Sequence, residues 1–157
     1  MADDDTFVMD GLSPEIQAMM GVYALYWKLE ESIDALSTEP DLTHPECHML
    51  IKLDRPKRMG VLARDMLAAP STITATADAL ESAGYLTRQR DPEDRRAWLL
   101  VLTEQGEQTR HMIATEAGEM FRRASGLDAE ETAQFAQLAR KIRDNILKTG
   151  IPEGLKK

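Results

Sequence analysis

Only one cysteine, Cys47, stands in the 157-residue sequence. No internal disulfide can form, which suits a reducing compartment and not a disulfide-stapled secreted scaffold. No uninterrupted apolar run approaches the roughly 20 residues that cross a bilayer. The opening MADDDTFVMD is acidic where a secretory or transit signal is basic. A cytoplasmic protein without a membrane partner is therefore expected. Three histidines lack a partner pattern, and neither a glycine-rich phosphate loop nor a nucleophile motif is present. That inventory argues against an enzyme and calls for no cofactor. Internal repeats and low-complexity tracts are absent as well.

A positive charge excess is also missing. The net charge is −8, whereas neutralising nucleic-acid phosphates needs Lys and Arg. The distribution along the chain changes that picture. Residues 1–51 carry −10, with Lys28 as their one base, whereas residues 52–96 carry +2 and residues 97–157 cancel. The middle bases are Lys52, Arg55, Lys57, Arg58, Arg64, Arg88, Arg90, Arg95 and Arg96. An acidic remainder limits indiscriminate sticking to DNA, although a mixed-charge solvated surface would look the same.

What is present is a run of capped, periodic segments in a composition that is 43% hydrophobic and 29% charged. Ser13-Pro14-Glu15 opens a helix with Ile16, Met20, Tyr23 and Trp27 at helical spacing, reaching about Leu36. Thr43 and Glu46 form a capping box for a short helix through Leu53. Asp54 to Arg58 reads as a basic turn, Met59 to Leu67 as a short helix, and Ser71 to Ser82 as another. Ile73, Ala77 and Leu80 mark the buried face of that helix, and Gly84 stops it. Tyr85–Arg90 and Trp98–Leu102 then favour strand, joined by the polar Asp91 to Ala97, so a β-hairpin is expected. Thr103 caps a long helix to about Ser125, and Asp128 to Glu131 open a last one bearing Phe135, Leu138, Ile142 and Ile146.

The order predicts a mainly α fold with a small β-hairpin wing: a winged helix-turn-helix flanked by long dimerisation helices. Residues 1–40 are expected to be an N-terminal dimerisation helix, 41–103 the DNA-binding domain and 104–157 the C-terminal dimerisation helices. The long helices are amphipathic but have little of their own chain to bury against, which intertwining with a second copy solves. Residues 59–83 fit a helix-turn-helix, whose second helix offers one face to the major groove. Its outward positions are Ser71, Thr72, Thr74, Ala75 and Asp78. Ser71 and Thr72 suit phosphates or base edges, or simply cap the helix.

The stretch Thr43 to Gly106 resembles the DNA-binding core of the MarR family of regulators. The matching pieces are Pro70 to Thr74, Asp78 to Leu86, the acidic and Arg-rich Asp91 to Ala97, and Leu102-Thr103-Glu104-Gln105-Gly106. The resemblance implies a homodimer on double-stranded DNA with a pseudo-palindromic operator, and a ligand-responsive repressor. It also implies a wing in which Arg96 reaches the minor groove while Asp94 orients the hairpin, with Arg95 a second tip contact. Lys57, Arg58, Arg64, Arg88 and Arg90 are read as phosphate contacts or hairpin ion pairs. Family members often carry Arg where Ala75 and Ala79 stand here, so affinity should lean on the wing and the hydroxyls.

An effector pocket for a small aromatic or phenolic molecule is implied between the first two helices and the DNA-binding lobe. Tyr23, Tyr26, Trp27, His48 and Met49 are lining residues by position, against the alternative that the aromatics pack a dimer core. His44, Cys47 and His48, with His111, offer a metal-site alternative, and Cys47 an oxidation-sensing one. A winged-helix dimer that binds protein is the remaining rival.

Overall fold

The computed structural model describes residues 11–35 and 41–149. Nine elements follow in the order α1 (Pro14–Ala35), α2 (His44–Lys52), β1 (Lys57–Arg58), α3 (Met59–Asp65), α4 (Pro70–Ser82), β2 (Leu86–Arg90), β3 (Trp98–Leu102), α5 (Glu104–Ser125) and α6 (Ala129–Thr149). The fold is mainly α with a small antiparallel sheet, a winged helix-turn-helix between long helices. The sheet has three strands, ordered β1-β3-β2, because Lys57 and Arg58 pair with Leu100 and Leu99. The expected basic turn thus ends in a short third strand, too brief for alternation to reveal.

The core gathers one face from each short element. Met49, Leu50, Leu53, Leu62, Ile73, Ala77, Leu80, Tyr85, Leu86 and Leu100 are buried together. Ile73, Ala77 and Leu80 lie at i, i+4 and i+7, one stripe of α4. Between α3 and α4 the chain reverses at Leu67, whose φ of +51° is left-handed. That turn ends α3 earlier than apolar spacing suggests.

The cap residues act largely as read. The Glu46 carboxylate accepts from both the Thr43 backbone N–H and hydroxyl at 2.7 Å. Asp128 and Glu131 exchange backbone-to-carboxylate bonds at 2.9 Å, a reciprocal capping box for α6. At α5 the Thr103 hydroxyl accepts from the Gly106 N–H and donates to the Gly84 carbonyl, joining helix start and hairpin base. Gly84, at φ +82°, makes the turn from α4 into β2.

Helix α5 packs against α1 and α2. Much apolar surface on the long helices stays exposed within the single chain. Tyr23, Tyr26 and Trp27 on α1 and Leu138 and Ile142 on α6 are all more than half exposed, and α6 buries no residue fully.

Candidate nucleic-acid interface

Helix α4 presents Ser71, Thr72, Thr74, Ala75 and Asp78 to solvent, opposite its buried stripe. Its N-cap is Ala69, with Pro70 in the first turn and no side-chain cap bond. Ser71 and Thr72 therefore do not cap the helix, and their hydroxyls lie at its exposed N-terminal end. The Thr74 hydroxyl donates back to the Pro70 carbonyl at 3.0 Å, a local bond common for Thr in helices.

The loop of the hairpin beside α4 is fastened to β1. Arg58 on β1 pairs with Asp91 at 2.6 Å and lies 3.8 Å from Asp94. The Asp91 carboxylate also accepts from the Glu93 N–H at 2.9 Å. That backbone bond and the Arg58 guanidinium hold the Asp91 carboxyl below its ordinary range, and the same pair raises Arg58. Asp94 accepts from the Arg96 N–H at 3.1 Å, and its carbonyl takes the Ala97 N–H at 2.8 Å, closing the turn. Arg90 lies over the Trp98 ring at 3.9 Å and donates to the Arg95 carbonyl at 3.0 Å. Arg95 and Arg96 stand exposed at the tip, and no salt bridge to either side chain occurs among the described residues.

The other bases divide. Lys57 is largely buried against Asp54 and the Lys52 carbonyl, each at 2.6 Å. Arg88 joins Asp78 at 2.5 Å and also Glu81, tying β2 to α4. Arg64 is exposed, 3.8 Å from Asp65. Lys57, Arg58 and Arg88 are thus closely ion-paired, with the guanidinium of Arg90 on Trp98, while the side chains of Arg55, Arg64 and the tip arginines face solvent. Arg58 and Arg88 form ion pairs, one of the two roles expected for them, but the sequence does not name the partner of Arg58, which is 33 residues away. For Arg88 a signal is present: α4 holds two carboxylates, Asp78 and Glu81, and no base.

Behind this face, a cavity of about 420 Å³ opens between α1, α2 and α5. Leu29, His48, Ile51, Ile113, Met120 and Phe121 are among its lining side chains, with Cys47 and Glu116 at its wall. Of the pocket residues named from sequence, His48 lines this space. Met49 is fully buried in the core, and Tyr23, Tyr26 and Trp27 lie on the exposed face of α1. A helical period locates a face but not the neighbour that covers it; α5 supplies much of the lining.

His44 and His48 stack with ring centroids 6.4 Å apart. Among the described residues, no three His, Cys, Asp or Glu side chains converge to hold a metal, and His111 lies exposed on α5. Burial and the neighbouring Glu46 push the Cys47 thiol up, away from the thiolate that oxidant sensing requires. Burial, then Lys52 and His44, lower His48.

Residues 42–98 match the model described as MarR family. The chain is 28% identical over 136 residues to the HTH-type transcriptional repressor MdtR of Bacillus subtilis (strain 168), covering 85% of this chain and 86% of that protein. Its fold is similar to that of a putative MarR family transcriptional regulator from Listeria monocytogenes complexed with 26mer DNA. There the TM-score is 0.68 at 19% identity, over 85% of this chain and 89% of the other. Bordetella bronchiseptica BpsR, whose DNA binding is regulated by 6-hydroxynicotinic acid, gives a TM-score of 0.64 at 19% identity over 80% and 98%.

Proposed function

We propose that this chain, whose residues 42–98 match the MarR family model, is a MarR-family transcriptional regulator, a homodimeric repressor released from its operator by a small aromatic ligand. One observation carries the DNA-reading part. Two solvent-facing arginines, Arg95 and Arg96, sit at the tip of a hairpin whose loop is pinned by Arg58 and Asp91 and whose first strand is tied to α4 through Arg88. A guanidinium on a fixed stalk suits the strongly negative potential of a narrow minor groove. Ser71, Thr72, Ala75 and Asp78 then face the major groove, where Ala75 offers a methyl to thymine.

In this reading residues 41–103 read DNA, while residues 1–40 and 104–157 join two copies. The exposed apolar faces of α1 and α6 are the surface that pairing covers. Operator binding locates the protein in the cytoplasm. No helix among the described residues is long and apolar enough to cross a membrane.

The α1–α2–α5 cavity is the proposed effector site. Its lining is mostly apolar and, among the described residues, includes no Lys or Arg, so a neutral phenol or similar ring suits it better than an organic anion. Occupancy there would shift the spacing of the two heads, which must match grooves roughly 34–36 Å apart. Footprinting on the DNA flanking the gene tests this reading. The expected result is a two-fold symmetric footprint spanning two half-sites, lost on adding the ligand. A protein that protects no DNA at any salt concentration is not a DNA reader.

A further inference from the structure

Helix α4 is an odd helix to push towards DNA. It contains Asp78 and Glu81 and no Lys, Arg or His, so it carries two negative charges where a polyanion must approach. Asp78 is 58% exposed and continues the outward row of Ser71, Thr74 and Ala75, at seven, four and three residues' spacing. Left alone, that carboxylate would repel the phosphates the helix has to pass.

The structure supplies one cation for both carboxylates. Arg88, from the first wing strand, places one guanidinium nitrogen 2.5 Å from Asp78 and another against Glu81. Its backbone N–H also donates to Glu81 at 3.2 Å. The Arg88 side chain is only 25% exposed, and each of its two terminal nitrogens meets one of these carboxylates. A fork that meets two carboxylates is what a planar guanidinium provides and an ammonium does not.

We propose that Arg88 is a positioning residue that masks the acidic face of α4, fixing the helix to the wing and halving its net negative charge so that it can enter the groove. In this role Arg88 does not contact phosphate. Its loss weakens DNA binding by exposing Asp78 and Glu81, and removal of their charge restores binding. The proposal rests on α4 being the groove-facing helix.

The test is an anisotropy titration of full-length dimer on a mixed-sequence duplex long enough for two half-sites, at two salt concentrations, with melting temperatures measured alongside. The wild-type protein binding with a clear salt slope establishes the DNA-reading premise by itself; failure at that stage is failure of the premise. Given binding, Arg88→Gln should weaken it by about tenfold or more, and Arg88→Gln with Asp78→Asn and Glu81→Gln should return it to within about threefold of wild type. A phosphate contact behaves differently: its loss lowers the salt slope by about one and is not rescued by neutralising its neighbours. Unrescued loss with that drop in slope overturns the proposal, and so does an Arg88→Gln protein that binds like wild type. If Arg88→Gln does not fold, Asp78→Asn with Glu81→Gln in the otherwise native chain decides. Freeing the guanidinium should tighten binding and steepen the slope; unchanged affinity and slope contradict masking.

Discussion

At the scale of single residues, the wing depends on Asp91. Its carboxylate accepts from the Glu93 backbone and from Arg58, and both bonds are stronger while it is ionised. The folded carboxyl therefore sits below its ordinary value. A depressed pKa contributes stability that is complete above the unfolded value of about 3.9 and is lost as the pH falls through the folded value. Trp98 lies on the same hairpin under Arg90, so its fluorescence, recorded in a Trp27→Phe background, reports the wing. The signal should hold steady from neutral pH to about 4 and change only below that. Asp91→Asn should remove this acid-side transition. A wing transition centred near pH 6 would point to a histidine instead.

Gly106 makes a second residue-scale demand. A Cβ there would lie 1.9 Å from the Tyr85 carbonyl oxygen and 3.3 Å from the Leu102 Cβ. The Leu-Thr-x-x-Gly segment is thus a joint: Thr103 caps α5 and holds Gly84, while the bare Gly106 lets the helix approach the strand. Gly106→Ala should cost about 1–3 kcal/mol, the usual range for overpacking against a backbone that must move. Urea unfolding measures it, and a loss below the detection limit would mean the joint is looser than its geometry.

At the scale of elements, α4 and the hairpin behave as one unit because Arg88 ties them together. Periodicity made much of this legible. The buried stripe of α4, the hairpin strands and the α2 and α6 capping boxes are local patterns, set by neighbours within a turn or across a short loop. What was not legible is what depends on distant partners. β1 is two residues long, so no alternation exists to see, and its Arg58 acquires a role only when Asp91 folds back onto it. A pocket beside the first two helices was expected, but its α5 lining was not legible for the same reason, since Ile113, Glu116, Met120 and Phe121 lie far along the chain from His48. Ala117 also lines that cavity, so Ala117→Phe should fill part of it and abolish a thermal shift caused by a phenolic ligand. The variant's DNA binding should then no longer respond to that ligand, whereas the native protein is released. Release by the ligand that persists in a folded Ala117→Phe protein would place the effector site elsewhere.

At the scale of the whole molecule, the long helices show a surplus. Leu138 is 61% exposed and Ile142 58%, one turn apart on α6, with no described residue covering them. A second copy covers such a surface while setting two DNA-reading heads at a fixed distance. Ile142→Glu should convert the protein to a monomer in sedimentation experiments and lower its operator affinity in parallel. An Ile142→Glu protein that remains a dimer would place the pairing surface elsewhere.

The acidic composition and the DNA-reading assignment meet at the wing tip, where Arg95 and Arg96 stand on a hairpin anchored by buried and paired groups. The deciding measurement is the salt dependence of DNA affinity for the native protein and for Arg96→Ala. Native protein should lose affinity steeply between low and physiological salt. Arg96→Ala should bind every duplex more weakly, with a slope smaller by about one if Arg96 neutralises one phosphate's worth of charge. Equal affinity and equal slope for the two proteins would contradict the account of this wing as a DNA reader.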